Sequence, residues 1–69
     1  MSELQSITFP KDKFSLSFAK SWLKSNNYKD YGVDETKSRY RFRQQDPVYP
    51  ADYYTKTLDN GIQLIFFNS

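Results

Sequence analysis

The chain has 69 residues, with ten Lys or Arg against eight Asp or Glu, no Cys, no His and a formal net charge of +2. That length allows one small domain over residues 1–69, whose single core is marginal unless it is dense; 19% aromatic content supplies the density, since each buried ring removes roughly 150–250 Å² from water. The absence of cysteine excludes a disulfide framework or a thiolate zinc site and suits a reducing compartment, and no apolar run approaches the ~20 residues that cross a bilayer.

The opening "MSELQSITF" lacks the basic-then-apolar order of a signal peptide. The expectation is a soluble, full-length intracellular protein with no membrane partner. Within it "SITFP" sets Ile7 and Phe9 on one side and Thr8 on the other before Pro10, which predicts a short edge strand that stops at the proline. In "FSLSFAKSWLKSNN", Leu16, Ala19 and Leu23 recur at helical spacing and Phe18 and Trp22 lie one turn apart, so an amphipathic helix is predicted with both rings in the core. Ser15 is its N-cap and Asn26-Asn27 its left-handed stop. Lys20 and Lys24 share its wetter face.

"YKDYGVDETKS" combines Gly32 with Asp30, Asp34 and Ser38 and reads as a connection that holds Val33 inward. "RYRFR" follows as a strand, with Arg39, Arg41 and Arg43 about 6.6 Å apart on one face and Tyr40 and Phe42 turned to the core. "QDPVYPADY" contains two prolines and reads as a surface loop. "YYTKTLDNGIQLIFF" gives two strands around Asp59-Asn60-Gly61, a hairpin whose tight turn uses the positive φ that Asn and Gly tolerate. Its last strand is apolar on both faces and so is expected to be central or covered. The fold class predicted is α+β: one helix on a small, mainly antiparallel sheet of three to four strands, in the order β-α-β-β-β.

Chemistry is sparse. Neutral-pH acid-base work usually falls to His, which is missing. Asp34, Glu35, Asp46, Asp52 and Asp59 stand in turn or capping contexts. No calcium-loop spacing or glycine-rich phosphate loop occurs. No enzyme, cofactor or metal is expected. What remains is charge: residues 11–43 carry nine basic side chains and four acidic ones, residues 44–69 one and three. Arg39, Arg41 and Arg43, with Lys20 and Lys24, form a candidate partner or phosphate contact, against the commoner fate of such a row as a solvated strand face. Tyr49, Tyr53 and Tyr54 form a candidate aromatic rim, able to stack on bases but more often used in packing.

Three stretches, "SFAKSWLKSNNYK", "VDETKSRYRFRQQDP" and "YYTKTLDNGIQLIFF", together resemble a small domain family of tailed bacteriophages and large DNA viruses. The resemblance rests on Trp22-Leu23-Lys24 in the helix, Val33 to Thr36 in the turn, Tyr40 to Gln44 in the strand, Asp46-Pro47 and Gly61-Ile62. Asn26-Asn27 stands where the family often has glycine, and Gln45 where it is often aromatic. The resemblance implies a viral, non-enzymatic module, in some cases encoded near head and maturation genes. The function expected is therefore an interaction module, of the host cytoplasm or associated with the virion in the family's manner, that binds a viral or host protein. Phosphate binding on nucleic acid is the alternative, and inhibition of a host defence protein the third. In the turn, Asp34 and Thr36 are expected to bond nearby backbone and Glu35 to reach an arginine.

Overall fold

A computed structural model describes residues 2–47, 49 and 51–68; Val48 and Pro50 of the expected proline loop lie outside the described residues. Its elements are β1 (Ser2–Pro10), α1 (Leu16–Ser25), β2 (Val33–Glu35), β3 (Arg39–Arg43), β4 (Asp52–Thr57) and β5 (Gln63–Asn68). The strands form one sheet in the order β2-β3-β1-β5-β4, and every neighbouring pair is antiparallel. The α+β class holds, with five strands in place of three to four. The extra one is β2, which falls inside the segment read as a connection.

The first strand is the centre of the sheet, not its edge. It runs for nine residues and pairs with β3 on one side and β5 on the other. Ladder pairing on both sides buries Gln5, Ser6 and Thr8, polar residues whose pattern alone suggests a wetted strand. Between Leu4 and Ser6 the register with β5 shifts, so Gln5 is the extra residue of a bulge. Past Pro10, which has no N–H to give, the Lys11 N–H reaches Ser38 O at 2.9 Å and the Phe14 N–H bonds back to Pro10 O at 3.1 Å.

Helix α1 follows its sequence signals. The Ser15 hydroxyl accepts from the Phe18 N–H at 3.1 Å, satisfying one of the orphan donors at the helix start. At the far end Asn27 has φ 63°, the Tyr28 N–H reaches Leu23 O at 2.9 Å and the Asn27 N–H reaches Lys24 O at 3.2 Å. Those two bonds define a Schellman stop, with asparagine in the place usual for glycine, and the Tyr28 ring stacks on Trp22 as its apolar contact.

Ala19 and Leu23 bury against Ile7, Phe9, Phe42 and Ile62. Phe9 is the hub, meeting Phe14, Trp22 and Phe42 edge-on at 5.8, 5.7 and 5.7 Å, a geometry that adds about 0.5–1.5 kcal/mol per pair beyond burial. Phe18 departs from expectation: it stays 50% exposed and stacks on Phe14 at 5.2 Å, because Trp22 is turned inward to Phe9. Val33 also departs, at 36% exposed, since its strand is the outermost.

The β4–β5 hairpin closes as read, through a three-residue loop. The Leu58 N–H donates to Ile62 O at 2.8 Å, the Gly61 N–H to Leu58 O at 2.9 Å and the Ile62 N–H to Asn60 Oδ1 at 3.1 Å. Gly61 has φ +94°; Asn60 contributes its side-chain acceptor rather than a positive φ. As expected, β5 is interior to the sheet.

Candidate interaction face

Opposed residues of an antiparallel pair share a face, so the register assigns each side chain to a layer. Ile7 opposes Phe42 and Leu64, and Phe9 opposes Tyr40; with α1 these form the aromatic layer. Ser6 opposes Arg43 and Ile65, Thr8 opposes Arg41 and Gln63, and Pro10 opposes Arg39. On β4, Tyr53 opposes Phe67 and Thr55 opposes Ile65. This second set forms the face that carries no helix.

The arginine row lies on it as predicted, in an extended strand with Phe42 buried behind. Its three members differ. Arg43 is exposed and meets the Asp34 carboxylate at 3.5 Å. Arg39 donates from Nη1 to Thr8 Oγ1 at 3.4 Å, and Thr8 Oγ1 donates onward to Gln63 Oε1 at 3.3 Å. Arg41, half-buried, donates from Nη2 to Gln5 Oε1 at 3.1 Å, and its Nε is buried without a partner. Among the described residues, Arg39 and Arg41 thus have only neutral acceptors. Glu35 reaches Lys11 at 3.0 Å and not an arginine, because alternation turns it to the aromatic side, where Lys11 also lies over the Tyr40 ring. Thr36 shapes the β2–β3 turn as expected: its Oγ1 accepts from the Arg39 N–H at 3.0 Å.

The other predicted contacts do not join the row. Lys20 and Lys24 are exposed on α1, which packs on the opposite layer, so one ligand surface cannot use both sets. The tyrosines also divide. Tyr54 opposes Phe66 and stacks on it at 5.4 Å on the helix side. Tyr53 lies 5.8 Å from the Phe67 ring on the arginine side, and Tyr49 is 95% exposed. Tyr49 and Tyr53, with Gln5, Arg41, Pro47 and Ile65, line a groove of about 460 Å³.

Gln5 is the residue that sequence reasoning missed. It is 1% exposed, and its Nε2 donates to Gln45 O at 3.1 Å while Gln45 Nε2 donates to Leu4 O at 2.7 Å. The backbone carbonyl of Gln5 accepts from the Gln44 N–H at 2.8 Å. Both ends of its amide are therefore engaged, and the bulge delivers Oε1 to Arg41. A glutamine in "ELQSI" gives no sign of this, because the bulge comes from pairing with β5, about 60 residues away in the chain.

Among the described residues no three of His, Cys, Asp or Glu gather into a metal site, and no helix is long and apolar enough to cross a membrane. Compared with known protein families, curated proteins and solved structures, the chain finds no match.

Proposed function

We propose that this chain is a small non-enzymatic interaction module of the phage and large-virus kind, which docks a viral or host protein on the helix-free face of its sheet. One observation carries the reading: Arg41 lies where the arginine row meets the groove walled by Tyr49, Tyr53 and Ile65. A charged fork beside aromatic and aliphatic walls matches the composition of protein-protein contacts, in which Tyr and Arg carry most of the energy. Asp34, the carboxylate beside the arginine row, is taken up by Arg43, which fits a binding role better than catalysis.

Phosphate recognition on nucleic acid is the second reading, favoured by arginine beside exposed tyrosine. Charge weighs against it. The register puts Glu3 and Asp34 on the same face as the three arginines, and Lys20 and Lys24 lie on the other layer. Inhibition of a host defence protein would be one form of the protein-docking reading, as would a place in the virion.

Affinity capture from bacterial lysate, with and without tailed-phage infection, tests the proposal when run with face-specific variants. A partner retained by Lys20→Gln/Lys24→Gln and lost from Arg39→Gln/Arg41→Gln supports it. A chain that captures nothing, or whose capture ignores the arginine variant, overturns it. Titration with single- and double-stranded DNA at two salt concentrations tests the second reading, because phosphate contacts weaken steeply as salt rises.

A further inference from the structure

Resting on the docking role proposed above, we infer that the groove takes an acidic peptide segment: an Asp or Glu held by Arg41 with a bulky apolar side chain two residues away, seated between Tyr53 and Ile65. The floor is set before any ligand arrives. Gln5 has its Oε1 engaged by Arg41 and its Nε2 by Gln45 O and is 1% exposed, so it orients the guanidinium from below. Arg41 is the charged handle. Of its five N–H donors, one goes to Gln5 and the Nε donor is buried, which leaves the remaining Nη donors for an anion.

The anion is chosen by charge. Asp34 opposes Arg41 across the β2–β3 ladder but pairs with Arg43, and among the described residues no carboxylate lies within ion-pair distance of Arg41. Arg39 and Arg43 flank Arg41 on the same strand face at about 6.6 Å, so a negative group at Arg41 relieves repulsion on both sides. A carboxylate fits the guanidinium fork. A polyphosphate backbone meets walls of Pro47, Ile65 and tyrosine, which desolvate it without compensation. Those walls suit an apolar body attached to the acid. Side chains two apart in an extended peptide share a face at about the same 6.6 Å spacing, so acid and apolar group enter together.

Two further hollows lack this combination. One, of about 610 Å³, collects Lys11, Lys37 and Arg39 around Asp12, but Lys11 is paired with Glu35 and its lining includes no aromatic ring. The other, of about 580 Å³, sets Lys29 and Arg43 against Asp34 and Asp46, a balanced charge set that selects no ligand sign.

The test is an amide and side-chain NMR titration of the full chain with capped pentapeptides in which Asp or Glu stands two positions from Trp, Phe or Leu. Saturable shifts are expected at the Gln5 side-chain amide, the Arg41 Nε–H and Ile65. Replacing the acid by its amide, or the apolar residue by Gly, should weaken binding at least about tenfold, the scale of one lost anchor. In the chain, Arg41→Met should abolish the shifts and Lys24→Met leave them intact. Tyr49→Ala should weaken binding severalfold, and because Tyr49 is 95% exposed that variant keeps the test open if Arg41→Met does not fold. Equal binding of acid and amide peptides, tighter binding of a thymidine dodecamer at the same resonances, or no shifts up to about 5 mM peptide, the weak end of specific affinity, would each overturn the inference. If partner capture still depends on the arginine face while no peptide moves the groove, the docking proposal stands and the groove assignment falls; loss of both removes both.

Discussion

The two faces of strands β1 and β3 are built from the same ten-odd residues and stabilise the molecule by different means. On one face Ile7, Phe9 and Phe42 are fully buried against Ala19 and Leu23 of α1, with rings locked edge to edge. On the other Ser6 and Thr8 are also buried, with no helix over them. Their cover includes side chains of their own sheet, with Arg39 and Arg41 reaching from β3 to Thr8 and Gln5 of β1, as long charged side chains do when their stems lie along a surface. An aromatic layer resists rearrangement because it is close-packed. A layer of arginine stems over hydroxyl groups can open by rotamer changes. The teaching is that burial by itself does not distinguish core from contact surface; what does the burying does.

The contrast breaks first at Phe9. Phe9→Ala empties the hub of three ring contacts and should cost about 3–5 kcal/mol, comparable to the whole stability of a domain this size. A urea melt is expected to show no folded baseline or a midpoint near zero. One step less severe is Gln5→Leu on the other face, which leaves Gln45 O and Arg41 Nη2 without their partner. About 1–3 kcal/mol is expected for those stranded groups, read as a lower urea midpoint at unchanged slope, which would mark a stability change without a change in compactness.

How far the two faces were legible in the sequence follows the same division. Local signals read correctly: Ser15 as cap, Asn27 as left-handed stop, Gly61 as the positive-φ turn residue and the alternation of "RYRFR" each depend on neighbours within a few positions. What depended on distant pairing did not read. The proline that ends "SITFP" reads as the stop of a short edge strand, whereas pairing with both β3 and β5 places β1 at the centre. Val33 to Glu35 looked like turn chemistry and became a strand because β3 offered a free edge. For the candidate face, the arginine row was visible by period two, but its grouping with Lys20 and Lys24 was not sound, since a linear charge count carries no information about layers. Gln5 was invisible, because its role comes from a bulge.

Ser6→Ala sharpens the comparison from the favourable side. The Ser6 Oγ is buried without a hydrogen-bond partner, so removing it gives back a desolvation cost and should raise stability by up to about 1 kcal/mol. A melting temperature a few degrees higher is expected, on the scaling that holds for domains of 60–100 residues. Ala at the equivalent position of the aromatic face, Ile7, has no such gain to collect.

The smallest stability effect is expected at Arg41, and it separates the faces most clearly. Arg41→Met keeps the aliphatic stem over the sheet and eliminates a buried Nε that has no partner. Against that, Gln5 Oε1 loses its donor at 3.1 Å. The first change returns part of a desolvation penalty and the second forfeits one hydrogen bond, terms of about 1 kcal/mol each and opposite in sign. Denaturation should therefore place the variant within about 1 kcal/mol of the parent, while partner capture through this face is lost. A side chain whose removal costs the fold so little and the contact so much is held for binding; a drop in stability on the scale of Phe9→Ala would instead put Arg41 among the residues that hold the sheet together.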